Sequence, residues 1–241
     1  MKTVLLKIDW STVLTWQELW AWSEVWALFI PLTVLIAKRK RINNVFKPVI
    51  YYVFIALVLN SIADFSWRFQ LRLDLPQWMR NNSSIYHLHA IIRLLLFTWF
   101  FRRLNEPFLV NVKKITPVLF LLFVFIHFII IKPINSFLID YNSELHATEA
   151  AILLFYCLQH YIFLSQQEYS ASNIRSRSIG LFIAGLTIYV AINFFIFLFY
   201  SALMSISRKF SKQIWEVHNI SYIILCCFIA WAFYESARSK H

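Results

Sequence analysis

Two glycines, Gly180 and Gly185, are all that the 241 residues contain. Transporters build their sites where helices are broken by Gly or Pro near the membrane midplane, and here Pro31 is the one proline well inside an apolar run. That scarcity argues against an alternating-access carrier, and phosphate-cradling GxxxxGK and GxGxxG loops are absent. Cysteine is also scarce. Cys157, Cys226 and Cys227 all fall in apolar runs and form no CxxC, so they read as small apolar residues rather than a disulfide framework or a redox pair. Charged residues make up 15% of the chain, against about a quarter in soluble domains. No lysine lies inside an apolar run, which leaves a retinal Schiff base without an attachment point. No HxxxH or HExxH sets two metal ligands on one helix face.

What the chain has in abundance is apolar and aromatic side chains, 60% and 19% of all residues. Apolar runs near the ~20 residues that a bilayer core requires predict spans at 20–37, 48–66, 84–101, 115–132, 147–165, 179–201 and 215–234. The expected fold is an all-α polytopic membrane protein: a seven-transmembrane-helix bundle over 20–236, an N-terminal aromatic interfacial segment at 1–19 and a cytoplasmic tail at 237–241. The N-terminal run is short, is interrupted by Asp9 and lacks a small-residue cleavage site, so it is not read as a signal peptide. Trp10, Trp16, Trp20, Trp22 and Trp26 suit the headgroup level.

Lys and Arg set the orientation. Thirteen fall in the loops after spans one, three and five and in the tail, and nine in the N-terminus and the remaining loops. The positive-inside rule then puts the N-terminus outside and the C-terminus in the cytoplasm of a cell (inner) membrane. "KRKR", Lys38 to Arg41, reads as a loop that meets anionic headgroups and not as a nucleic-acid site.

With that topology the polar residues inside the spans gather in the outer leaflet. His87 and His89 open span three, Glu149 opens span five and His218 opens span seven, while Asn60, Asp64 and His127 arrive from spans two and four. His87 and His89 stand about 200° apart around a helix, so only one of them can face the bundle interior. His127, alone in its span, reads as structural, and His146 as a residue of the water boundary. Arg93 is the outlier, because a cation near mid-membrane needs an acceptor. Glu149 is the first candidate and Asp64 the second. The pair would orient spans three and five, or Arg93 would anchor an anionic ligand. The expected ligand-binding set is Arg93, Glu149, His89, Asp64, Asn60 and Tyr222. A competing expectation is a zinc site of His87, Glu149 and His218, three N/O ligands with an open position.

The stretches "YHLHAIIRLLLFTWFF", "EAAILLFYCLQHYIF", "IGLFIAGLTIYVAINFFIFLF" and "IWEVHNISYIILCCFIAWAFY" resemble an uncharacterised family of seven-transmembrane-helix proteins of Bacteroidota. The resemblance implies a bacterial membrane protein and carries no activity. It matches His87, Glu149 and His218 to a histidine, a glutamate and a histidine of that group. Arg93 stands where a glutamate is frequent there, so a cation replaces a ligand-type residue. Three functions are expected in order: a receptor-like or sensor protein signalling to a membrane or cytoplasmic partner, a metal-dependent intramembrane hydrolase, and a structural subunit of a membrane complex.

Overall fold

A computed structural model describes residues 20, 22–69, 82–104, 109–131, 134–166, 174–206 and 208–238. The interfacial segment at 1–19 lies outside the described residues. Among the described residues there is no strand. The helices are α1 (Ser23–Lys38), α2 (Lys47–Phe69, entered through a 3-10 turn at Asn44–Phe46), α3 (Ser83–Arg103), α4 (Val110–Phe125), the short α5 (Ile134–Ile139), α6 (Ser143–Gln166), α7 (Ile174–Ile206) and α8 (Arg208–Arg238). The end of α4 widens into a π-helix over Ile126–Ile131. Its start precedes the predicted span, which places Pro117 inside the helix beside the expected Pro31 of α1.

Among the described residues, six helices are long and apolar enough to cross a membrane. The predicted first span forms α1, whose 16 residues extend about 24 Å at 1.5 Å each. The helix starts late because the chain turns at Trp22 and buries Ser23 and Glu24 at once. The predicted tail is helical through Arg238.

The helices close a ring in which α1 packs on α2 and α8, α2 on α3, α3 on α6, α6 on α7 and α7 on α8. Helix α4 leans on α3 from outside. Outward faces are as apolar as inward ones. On α2, Tyr51, Phe54, Val58, Ile62 and Phe65 are exposed while Tyr52, Val53, Ala56 and Asn60 are buried. A helix apolar all round belongs in lipid or in a large core, and among the described residues none covers these faces. The chain is a multi-pass membrane protein.

Successive long helices alternate in direction, so the two ends of the bundle differ. At one end stand Lys38 to Arg41, Arg102, Arg103, Lys113 and Lys114, above a core of Phe46, Phe97, Phe100, Phe182 and Phe233. Its rings meet at centroid distances such as 4.6 Å for Phe100–Phe182 and 5.8 Å for Phe46–Phe233. Asn43 ties this end together. Its Oδ1 accepts from the Val45 amide, and its own amide donates to Ser236 Oγ on α8. The opposite end carries Glu24, Asp64, Asp140, Glu144 and Glu216 and the polar layer described below.

Gly185 has a packing reason. A Cβ built there would lie 2.3 Å from Phe228 Cβ on α8, whereas one at Gly180 would meet nothing within 4 Å. Gly185→Ala is expected to destabilise the fold by about 1–3 kcal/mol through overpacking. Gly180→Ala should be neutral or stabilising by up to about 1 kcal/mol. Melting of the two variants in detergent checks the pair, and equal melting would refute the close α7–α8 contact.

Candidate functional site

Arg93 sits one helical turn after His89 on α3 and is 6% exposed. Its Nε donates to Glu149 Oε1 and its Nη2 to Glu149 Oε2, both at 2.5 Å, while Nη1 donates to the Tyr189 hydroxyl at 2.5 Å. Glu149 is fully buried. The bidentate geometry matches the planar guanidinium to the carboxylate and joins α3, α6 and α7. The two charges cancel each other, so Arg93 has no surplus charge for an anionic ligand.

His87 faces away from this pair. Its Nε2 accepts from the Asn142 amide at 3.0 Å, so Nδ1 carries the proton and donates to the Phe137 carbonyl at 3.0 Å. It staples the α5–α6 turn onto α3. Asn142 also caps α6 by accepting from the Leu145 amide, and its side-chain amide bonds His127 Nε2 at 2.6 Å. His87 and His127 thus hold a loop. His218 belongs to the interior. Asn193 spends its amide hydrogens on the Tyr189 carbonyl and Ser221 Oγ, so its Oδ1 accepts from His218 Nδ1. On the other side of the ring, His218 Nε2 stands 3.4 Å from Glu24 Oε1.

These groups surround a chamber of about 20 Å³, the room of about one water molecule. Glu24 comes from α1, His89 and Arg93 from α3, His146 from α6, Tyr189 from α7, and His218 and Tyr222 from α8. Four buried atoms around it have no hydrogen-bond partner: Glu24 Oε1, His89 Nε2, His146 Nε2 and the Tyr141 hydroxyl. Burial and the nearby Tyr200 push the Tyr141 phenol well above its usual range, which keeps it a neutral O–H donor.

Above the chamber lies a vestibule of about 480 Å³. Tyr86, Tyr141 and Trp215 line both spaces. They meet edge to face, with Trp215 centroids 5.8 Å from Tyr86 and 6.0 Å from Tyr141. The three rings are the wall between the two spaces. Asp64, Trp67, Asn82, Ser83, Tyr200 and Asn219 complete the described lining of the vestibule.

The expected ligand set is therefore divided. Arg93, His89 and Tyr222 line the chamber, and Glu149 stands behind Arg93. Asp64 lines the vestibule. Asn60 donates to the Glu24 carbonyl and joins α2 to α1. The proposed metal ligands His87, Glu149 and His218 have different tasks: His87 holds the loop and Glu149 holds Arg93. Among the described residues no three His, Cys, Asp or Glu side chains come close enough together to hold a metal ion. Sequence reasoning missed Glu24, Tyr86, Tyr141, His146 and Trp215. Glu24 had a usable signal, since it is a carboxylate within a predicted span.

No family model, curated protein or solved structure matches the chain.

Removing one member of a buried ion pair strands the other, at a cost of about 3–5 kcal/mol, while replacing both with apolar groups is close to neutral. Arg93→Met should accordingly lower folded yield and melting temperature sharply, and adding Glu149→Leu should restore much of both. A double variant no better than Arg93→Met alone would contradict the reading of a self-compensating pair.

Proposed function

We propose that the chain is a receptor-like or sensor protein of a bacterial inner membrane, which takes a small ligand or a lipid headgroup into the vestibule and passes the event to a membrane or cytoplasmic partner. The observation that carries this reading is the vestibule itself. Its volume falls in the ~300–1,000 Å³ range of small-molecule sites, and it shares an aromatic wall with a polar chamber. Rigid helices and short loops support binding over catalysis on an extramembranous domain.

In this reading α1 is the seventh span, with the N-terminus outside. Its place in the ring between α2 and α8 and the basic run that follows it support that orientation. An N-terminal epitope should then be reachable by antibody on spheroplasts, and a C-terminal green fluorescent protein should fluoresce. Both termini on one side would leave six spans and remove the proposed topology.

Ligand binding is tested by melting the purified chain with small amines, carboxylates and sugars. A ligand present at a hundredfold excess over its Kd adds about 2.7 kcal/mol of stability. A raised melting temperature that is lost in Trp215→Ala is expected, and no stabilisation by any class would sink the reading. A metal-dependent hydrolase is the second reading: the zinc-type donors Glu24, His89, His146 and His218 line one chamber, although among the described residues no three of them stand close enough together to hold a metal ion. In the same preparation, about one zinc per chain, lost in both Glu24→Ala and His218→Ala, would put the hydrolase first. Metal-free protein after zinc loading would remove it.

A further inference from the structure

We infer that the vestibule between α2, α3 and α8 is a site for an organic ammonium ion. The inference rests on the ligand-binding reading above and names the chemical class that the site would take. The described lining holds one formal charge, the Asp64 carboxylate, and no lysine, arginine or histidine. Asp64 Oδ2 is buried and has no hydrogen-bond partner. Asn219 adds a second such acceptor. Its amide nitrogen donates to the Trp20 carbonyl at 3.3 Å, while its Oδ1 is buried without a partner.

The rest of the wall is aromatic. Tyr141 meets Tyr200 at a centroid distance of 5.0 Å and an interplanar angle of 56°, and Tyr86 meets Trp215 at 79°. Rings set at such angles form the corners of a box, and a cation inside it is attracted by their π faces while a carboxylate balances its charge. Trp67 supplies a further face from the α2 side.

Two arginines compete for the role of counter-ion. Arg68 follows Asp64 by one helical turn, but its guanidinium stands over the Trp22 ring, 5.5 Å from the centroid. Arg93, below the aromatic wall, is neutralised by Glu149. An anion entering the vestibule would meet the Asp64 carboxylate and the Asn219 amide oxygen, with no cation among the described lining. A neutral ligand would leave Asp64 only Arg68, outside the lining, to balance it. An ammonium group satisfies the carboxylate, the amide oxygen and the rings together. That group can come from a free amine or from the ethanolamine headgroup of a phospholipid.

The test uses the full chain purified in detergent, titrated with ethanolamine, choline, the uncharged isostere of choline in which carbon replaces nitrogen, and benzoate. A cation should bind at least about tenfold more tightly than the isostere and benzoate. Asp64→Asn and Trp67→Leu should each weaken cation binding by about tenfold, with melting of the unliganded protein unchanged. Trp67 is exposed, so Trp67→Leu keeps the test available if Asp64→Asn fails to fold. The chain in nanodiscs of phosphatidylethanolamine or of phosphatidylglycerol separates the sources. Loss of choline binding only with phosphatidylethanolamine identifies the headgroup as the natural occupant, and equal binding in both identifies a free amine. Binding of the isostere or benzoate as tight as that of the cations overturns the ammonium inference and leaves the ligand-binding reading standing. No binding by any probe, with no retained lipid, removes both.

Discussion

The Arg93–Glu149 pair is the constraint from which the polar layer follows. A guanidinium in mid-membrane costs at least about 2.5 kcal/mol on insertion scales, so it cannot be left without acceptors. Its rigid fork accepts few arrangements of its partners. Satisfying Glu149 on α6 and Tyr189 on α7 from α3 fixes how these three helices stand relative to one another. The order then passes along α7. The Tyr189 carbonyl accepts from Asn193, Asn193 orients His218, and His218 faces Glu24 on α1. Five helices are linked through one chain of polar contacts that begins at an ion pair. Buried pairs of this kind contribute little net stability. What this one contributes is a single allowed register.

Division of the bundle into two halves explains why so polar a layer is tolerated. At the basic end, interlocked phenylalanines close the interior, as at Phe100–Phe182. Close contact of α7 and α8 at Gly185 serves the same packing. The helices are thereby stiff without their polar residues. At the other end, burial is offset by pairing: Glu149 with Arg93, His87 with two backbone groups, and Asn60 with the α1 carbonyl. Of the buried atoms without hydrogen-bond partners, Glu24 Oε1, His89 Nε2, His146 Nε2 and the Tyr141 hydroxyl surround the chamber and Asp64 Oδ2 and Asn219 Oδ1 the vestibule, where water or a ligand can reach them.

Period and composition made the helices and the Arg93–Glu149 partnership legible in the sequence, because a lone cation in an apolar run must find a carboxylate and few were available. The gathering of polar residues at one end followed from alternating directions. The identity of the inward histidine did not, since His87 and His89 are equivalent until the α5–α6 turn claims one of them. That turn is set by Asn142 and Phe137, 55 and 50 residues further along the chain than His87. Glu24 was hidden for a different reason. Tryptophans around it suggested an interface, while the ring closure that buries it depends on α1 meeting both α2 and α8. His146 looked like a boundary residue for want of any periodic signal. The tyrosines and Trp215 are ordinary packing residues by composition, and only their shared position between two spaces distinguishes them.

In the proposed reading, selection and transmission fall to different parts of this architecture. Because Arg93 and Glu149 cancel, Arg93 does not select an anion, and in that reading discrimination by charge passes to Asp64 in the vestibule. Transmission has a physical candidate in α8. The helix carries Trp215 in the shared aromatic wall and, five turns further on, Glu235 and Ser236 at the basic end. There Glu235 stands 3.8 Å from Arg177 on α7 and Ser236 accepts from the Asn43 amide. A displacement of Trp215 by a vestibule ligand would therefore act on a stiff element with contacts at both ends. A stiff rod alone does not signal, because coupling requires an element with two arrangements whose balance the ligand shifts. Trp215 meets Tyr86 and Tyr141 through edge-to-face ring packing. In the sensor reading the switching element belongs at that joint and not at the ion pair beneath it, where a bidentate contact allows one arrangement.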